Sequence, residues 1–328
     1  VVLAAIITLV CTLLTEPLSK FLGADAFYLP MAKEYVFWWG LFAIPSALSV
    51  NFQFFCRNDG SPALVAAATV ISTVLNIFLN WLFVFPMQMG IMGAAIATGI
   101  SQTVSWLVVA MHFILHKDDL RIRPYKPQMG MFGQIIFFGL PEMIAQFATP
   151  VTTICLNTVI VAHLGEVAVN AFAVISYVAS LAISVFAAAE GLQPLFGQTY
   201  GAKEEKDMKS YFRSGMLISF VGSIVIVGLC IFFGRPICSL FGADAETLEY
   251  TLYYLPQYAW AFVVVGLNTM ISAYLYSTER SGYAIPLNIC RALAFNTLII
   301  RGLPALVGES IIWYTYGIAE GAVLVLAV

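Results

Sequence analysis

Charge is the property that this 328-residue chain most lacks. Asp, Glu, Lys and Arg together make up 10% of the residues, whereas 61% are hydrophobic. A soluble domain is about one quarter charged, so this composition indicates an integral membrane protein. Nucleic-acid binders usually carry a net positive charge, whereas the net charge of this chain is −3, so we expect no nucleic-acid partner.

The chain also lacks histidine and cysteine patterns that would indicate a metal site or a catalytic site. The three histidines lie near the ends of apolar runs, and the six cysteines lie in or beside such runs without metal-ligand spacing. No nucleophile motif and no histidine–carboxylate constellation accompanies them. The sequence therefore predicts no enzyme, no catalytic residue, no metal site and no cofactor.

What the chain does have is long apolar runs. Met216–Phe233 lacks any formal charge and is close to the length that crosses a hydrocarbon core of about 30 Å. Because the runs are near-continuous, they predict helices, whereas a membrane barrel would show alternating strands of about ten residues. The sequence thus predicts an all-α membrane protein whose about ten transmembrane helices span 1–14, 35–56, 63–85, 91–115, 132–161, 168–195, 211–233, 250–276, 286–307 and 312–328.

The connections between these helices alternate between two sides of the membrane, and the basic residues are divided unequally. One side carries only Lys20, Lys33 and Arg235. Since cytoplasmic loops are enriched in Lys and Arg, we expect the other side to be cytoplasmic. That side carries Arg57, Lys117, Arg121, Arg123, Lys126, Lys203, Lys206, Lys209, Arg213 and Arg280.

A short phrase occurs twice, as FLGADA at 21–26 and as LFGADA at 240–245. Each copy follows one apolar run and precedes another, so the first four helices correspond to the seventh to tenth. This even offset predicts a parallel repeat about an axis along the membrane normal, a common plan in secondary transporters. In each copy we expect the aspartate, Asp25 or Asp244, to cap the next helix.

The repeat also predicts the domain organisation, a two-lobed helical bundle. Residues 1–116 form an incomplete N-terminal lobe of four helices, 117–131 a cytoplasmic linker, and 132–328 a C-terminal lobe of six helices. We expect two further helices before residue 1, which would make twelve in the complete protein.

Four elements in order along the chain resemble the multidrug and toxic compound extrusion (MATE) family. They are NIFLNWLFVFPMQMGIMGAAIATGISQ at 76–102 with an Arg-x-x-Gly element from Arg57 to Gly60 upstream, LPE at 140–142, GLQPLFGQTYGAKEEKDMKSYFRSG at 191–215 and WYTYGIAEG at 313–321. The resemblance covers essentially the whole chain, as third to twelfth helices. It implies an antiporter that exports amphiphilic, often cationic drugs or toxic compounds by alternating access, coupled to H⁺ or Na⁺.

The same resemblance implies a multi-pass protein of the plasma or inner membrane. Its partners would be a small amphiphilic substrate and membrane lipid, and we expect a monomer. The alternative is a flippase of lipid-linked oligosaccharide in the same broad superfamily, which would need several basic groups in its cavity to bind pyrophosphate or anionic sugar. Apart from Arg213 at the cytoplasmic end of its helix, only Arg291 and Arg301 lie inside the predicted helices, which favours the exporter.

Charges inside a membrane are costly, so each carboxylate there is a candidate site. Glu142 follows Pro141, which removes a backbone donor and loosens the helix, and Glu190 lies near the cytoplasmic end of its helix. Both are predicted to bind the coupling proton or cation. Asn76 and Asn80, at i and i+4, face the same way and could contribute amide oxygens. The family often has an acid at the second of these positions, so we expect coupling to depend mainly on Glu142 and Glu190.

The remaining candidates are polar and aromatic side chains within the spans. An adaptable amphiphile site needs an apolar wall with few polar contacts, and aromatic rings can hold a cation. We therefore expect a substrate cavity lined by Gln53, Gln146, Asn157, Tyr177, Gln193, Tyr258 and Asn268. Glu320, midway along the last helix, is predicted to form a structural ion pair with Arg291 or Arg301.

Overall fold

The structure is a computed structural model that describes residues 2–21, 27–115 and 129–327, apart from the side chains of Met129 and of residues 183–190. Every regular element within these ranges is a helix. They form two compact units, one ending at Leu115 and one beginning at Met129. The helices of the first unit are α1 (Val2–Leu13), α2 (Thr15–Phe21), α3 (Leu29–Leu41), α4 (Ala43–Asn58), α5 (Pro62–Val84) and α6 (Gly90–Leu115).

The second unit contains the remaining helices. Two short irregular turns interrupt it, a π-helical turn at Cys290–Phe295 and a 3₁₀ turn at Glu309–Ile311. Its α-helices are α7 (Met129–His163), α8 (Glu166–Gly201), α9 (Glu205–Phe232), α10 (Gly234–Ser239), α11 (Ala245–Ala259), α12 (Ala261–Ser277), α13 (Ser281–Ile289), α14 (Asn296–Val307) and α15 (Ile312–Ala327).

Length and apolar composition make this a multi-pass membrane protein. Within the described ranges, six helical stretches are long and apolar enough to cross a membrane, and nine are if each bent pair counts as one span. The bent pairs are α1 with α2, α3 with α4, and α11 with α12. Helix α8 corresponds to the sixth predicted segment and is not among these nine, because its apolar part, Glu166–Ala182, is shorter than a full span. The predicted all-α membrane fold is confirmed.

The two units share an internal pattern around the repeated phrase. In each, a short helix (α2 or α10) precedes the phrase, and a bent pair follows it. The break residue of the bent pair is Phe42 in the first unit and Trp260 in the second. The Phe42 ring lies against Gly99 of α6, and the Trp260 ring lies against Gly317 of α15, at positions that a Cβ could not share.

The cap after the second copy of the phrase has the predicted geometry. Asp244 adopts an extended backbone conformation before α11, and its Oδ1 accepts a hydrogen bond from the backbone N–H of Thr247 at 2.7 Å. This bond satisfies one of the N–H groups that the first helical turn leaves without a partner. Asp25, in the first copy, lies outside the described residues.

Candidate functional site

A cavity of about 470 Å³ opens within the second unit. Its volume is within the range of small-molecule binding sites, roughly 300–1,000 Å³. Hydroxyl groups one or two helical turns apart line much of the wall: Thr149, Thr152, Thr153, Ser176, Ser180, Thr269 and Ser272. Ala145, Ala148, Phe262 and Val265 supply apolar surface between them. The wall is therefore suited to an amphiphilic molecule.

Helix α7 brings Glu142 to this cavity, directly after Pro141. Gln146, one turn further along the same helix, donates from Nε2 to Oε1 of Glu142 at 2.9 Å. Both side chains line the cavity. Carboxylate oxygens accept protons and bind cations, so this part of the wall can bind a proton or a cation.

Asn288, near the end of α13, forms a hydrogen bond to α7 beside that carboxylate. Its Nδ2 donates to the backbone carbonyl of Pro141 at 3.0 Å and to the hydroxyl oxygen of Tyr276 at 2.9 Å. A similar bond follows at the start of α14, where Asn296 Nδ2 donates to Oγ1 of Thr152 at 2.6 Å. Both asparagines are fully buried, so these bonds hold the proline segment of α7 in place.

On another wall, three side chains from three helical segments form a buried polar cluster. Arg291 of the π-helical turn donates from Nε to Oε1 of Glu320 in α15 at 2.9 Å. Asn268 of α12 donates from Nδ2 to Oε2 of Glu320 at 2.8 Å and to the backbone carbonyl of Glu320 at 2.9 Å. Glu320 is 1% exposed and Arg291 8% exposed. Both oxygens of the buried carboxylate are therefore satisfied, as a charge in an apolar interior requires.

The local helix geometry at Arg291 is unusual. Cys290–Phe295 is wound as a π-helix, which adds a residue to the turn and is often found at functional sites. Of the two arginines predicted as partners of Glu320, Arg291 forms the pair. Arg301 is exposed on α14 and forms no ion pair with the described residues.

Aromatic rings form a further part of the wall. Tyr258 and Tyr316 stack with their centroids 5.5 Å apart, and Phe262 packs edge-on against Tyr258 at 5.9 Å. All three rings line the cavity. They offer flat apolar surfaces and electron-rich faces, which can hold the ring system or the cation of an amphiphile.

The sequence candidates are distributed unevenly around this cavity. Glu142, Gln146, Gln193, Tyr258, Arg291 and Glu320 line it, and Asn268 lies behind Glu320. Asn157 is exposed on α7 and is not part of the described wall, and Tyr177 stacks on Phe241 with centroids 5.2 Å apart. Glu190 belongs to α8, but its side chain lies outside the described residues.

The candidates of the first unit form local amide contacts. Asn80 Nδ2 donates to the backbone carbonyl and to Oδ1 of Asn76, and Asn76 Nδ2 donates to Oγ1 of Thr98 at 3.3 Å. Gln53 donates to the hydroxyls of Ser49 and Ser105. Across the part of the chain that the structure describes, no group of three His, Cys, Asp or Glu residues is arranged to hold a metal ion.

Sequence reasoning missed Tyr276 and Tyr316, which also line the cavity. A signal for Tyr276 was present, because Thr269, Ser272 and Tyr276 follow one another at spacings of three and four residues and so share a helix face. Tyr316 and Glu320 have the same spacing on α15. Polar residues repeated at this spacing within apolar runs therefore indicated two further walls.

Comparison with known proteins gives one family and several relatives. The MatE family model matches residues 1–82 and 129–300. An FAD transporter of Shewanella oneidensis is 24% identical over 300 residues, which cover 88% of this chain and 66% of that protein. The multidrug export protein MepA of Staphylococcus aureus is 24% identical over 285 residues, which cover 85% of this chain and 62% of that protein. The chain thus spans less than two thirds of the length of these two relatives.

The fold is also that of solved structures. A crystal structure of MATE in complex with MaL6 superposes with a TM-score of 0.91 and covers 99% of this chain and 74% of that one. The sequence identity is 20%, so this likeness concerns the fold.

Proposed function

The chain belongs to the MatE family of membrane transporters, and from that premise we propose that the whole protein exports amphiphilic, often cationic compounds from the cell in exchange for H⁺ or Na⁺. The observation that carries the proposal is the cavity of the second unit, which joins a wall of hydroxyls and stacked tyrosines to the carboxylate of Glu142. It is large enough for a drug-sized molecule and has a group that can exchange a proton or cation.

Glu142 is the proposed coupling group, with Glu190 as a second. Exchange requires that the ion and the substrate favour different states of the carrier, so that each displaces the other through differential affinity. Pro141 contributes no backbone N–H, so the helix beside Glu142 is held there by Asn288. A change of charge at Glu142 can therefore act on the proline segment of α7, to which Asn288 is bonded.

Transport in everted membrane vesicles tests the proposal. We expect uptake of a fluorescent cationic dye into vesicles that contain the full-length protein, and we expect uptake to depend on an imposed pH or Na⁺ gradient. Dissipation of each gradient in turn identifies the coupling ion. Translocation of labelled lipid-linked oligosaccharide without dye uptake would support the flippase instead, although the cavity has only one arginine in its described wall.

A further inference from the structure

Arg291 has N–H groups that form no hydrogen bond with the described residues. Its hydrogen bond to them runs from Nε to Glu320, and its two terminal nitrogens donate to none of them. Arg291 also lines the cavity although it is only 8% exposed. A guanidinium carries five N–H donors in a planar fork, so the pair formed by Nη1 and Nη2 remains for a molecule in the cavity.

The position of Arg291 is fixed before any ligand arrives. Glu320 holds Nε, and Asn268 holds the other oxygen of Glu320, so the carboxylate cannot turn away without losing a buried bond. An arginine held in this way does not lose much conformational freedom when it binds a second acceptor.

The cavity is also lined by groups of opposite charge. Glu142, with Gln146 beside it, provides a negative group on α7. Arg291, on the π-helical turn, provides a positive one, and stacked tyrosine rings form the wall near α15. A molecule with both a cationic centre and an anionic oxygen group would match the chemistry of both side chains, whereas a simple cation would leave the terminal nitrogens of Arg291 without an acceptor.

We propose that Arg291 recognises the carboxylate or phosphate oxygens of a zwitterionic amphiphile, and that it selects such molecules over their neutral esters. This inference rests on the proposed export function and deepens it by naming a substrate class and the residue that selects it. The two terminal nitrogens of Arg291 match two oxygens of a carboxylate or phosphate, which a lysine ammonium cannot contact in the same planar geometry.

Two dyes provide matched probes. Rhodamine 110 carries a xanthene cation and a free carboxylate, and rhodamine 123 is its methyl ester. Fluorescence anisotropy with the purified full-length protein in lipid nanodiscs measures the dissociation constant of each dye, after subtraction of empty nanodiscs. We expect rhodamine 110 to bind about tenfold more tightly, as an added charge-assisted hydrogen-bond pair predicts.

Three variants test whether Arg291 causes this preference. Arg291→Lys should reduce the preference for rhodamine 110 to less than about threefold, because the planar fork is lost while the charge remains. Glu320→Gln should increase the preference, because the guanidinium is then no longer neutralised by its buried partner. Arg301→Lys, on the exposed face of α14, should leave both dissociation constants unchanged. The quantity compared is the ratio of the two affinities, which a general loss of folding would not shift in opposite directions.

Equal binding of the two dyes by the unaltered protein would overturn the inference. So would an unchanged ratio in both Arg291→Lys and Glu320→Gln. If both dyes bind equally and are exported in everted vesicles, only the role of Arg291 is wrong. If neither dye binds, the proposed export function fails together with it.

Discussion

The indole ring of Trp260 lies against Gly317 so closely that any side chain on Gly317 would collide with it. Trp260 is the residue at which α11 passes into α12, and Gly317 lies in the first half of α15. The same relationship joins Phe42 to Gly99 in the first unit. A bulky residue at the break of a bent span thus rests on a glycine of the last helix in each unit.

This contact predicts a large effect of Gly317→Ala. The added methyl group has no room beside the indole ring, and overpacking of this kind costs about 1–3 kcal/mol. Gly321→Ala on the same helix is the matched control, because no atom lies within reach of a Cβ there. Thermal unfolding of the purified protein in detergent should show a lower midpoint for Gly317→Ala and an unchanged or higher one for Gly321→Ala. Equal midpoints would contradict the packing.

Glu142→Gln should abolish gradient-driven export by the full-length protein. The substitution keeps the volume of the side chain but removes its ability to bind a proton or to balance a cation, so substrate and ion no longer compete. Membrane insertion should be normal. Glu166→Gln, at the exposed start of α8, is the control and should export normally. Normal export by Glu142→Gln under an imposed ion gradient would transfer the coupling role to Glu190.

Arg291→Met should destabilise the protein strongly. The carboxylate of Glu320 would keep its burial and lose its ionic partner, a change that costs about 3–5 kcal/mol. Adding Glu320→Gln to this variant should recover much of the loss, because the remaining group is neutral. Arg235→Met breaks the exposed ion pair with Glu249, and we expect a cost of at most about 1 kcal/mol there. Chemical unfolding of the four proteins measures these differences, and equal losses for Arg291→Met and Arg235→Met would refute the distinction.

The orientation of the second unit is open to labelling. The excess of basic residues predicts that Lys206 lies in the cytoplasm and Asp244 outside. Cysteines introduced at these two exposed positions should react with an impermeant thiol reagent from opposite faces of the membrane. The natural cysteines give a low background, because five of them are buried and Cys290 is partly buried. Reaction of both sites from one face would invalidate the orientation.

Asp244 should make stability depend on acid pH. Hydrogen bonds from the side chain and the backbone of Thr247 lower the pKa of this carboxyl group in the folded protein. Its contribution to stability is therefore complete above the unfolded pKa and disappears as the pH falls through the lower, folded pKa. Asp244→Asn keeps an oxygen for the cap and removes the titration, so its unfolding midpoint should fall less steeply with acid. Parallel pH profiles for the two proteins would argue against the cap.

The sequence by itself determined the class of the protein and the order of its spans. Long apolar runs must form helices in a membrane, because each backbone N–H and C=O needs a partner within its own segment. Contacts within one helix could also be predicted from the sequence. The contact between Glu142 and Gln146 follows from their i, i+4 spacing, which the helical period places on one face. The cap at Asp244 depends on only four successive residues, and it too was predicted.

Tertiary structure decided which faces of the helices meet. Arg291, Glu320 and Asn268 come from three segments, and only their packing chose Arg291 over Arg301 as the partner of Glu320. The π-helical turn at Arg291 also breaks the periodicity from which a face could be assigned. Tyr177 illustrates the same limit, because the rotation of α8 against its neighbours placed it on Phe241 instead of in the described cavity wall. Composition specifies a helix, but the rotation of that helix is set by side chains far away in sequence.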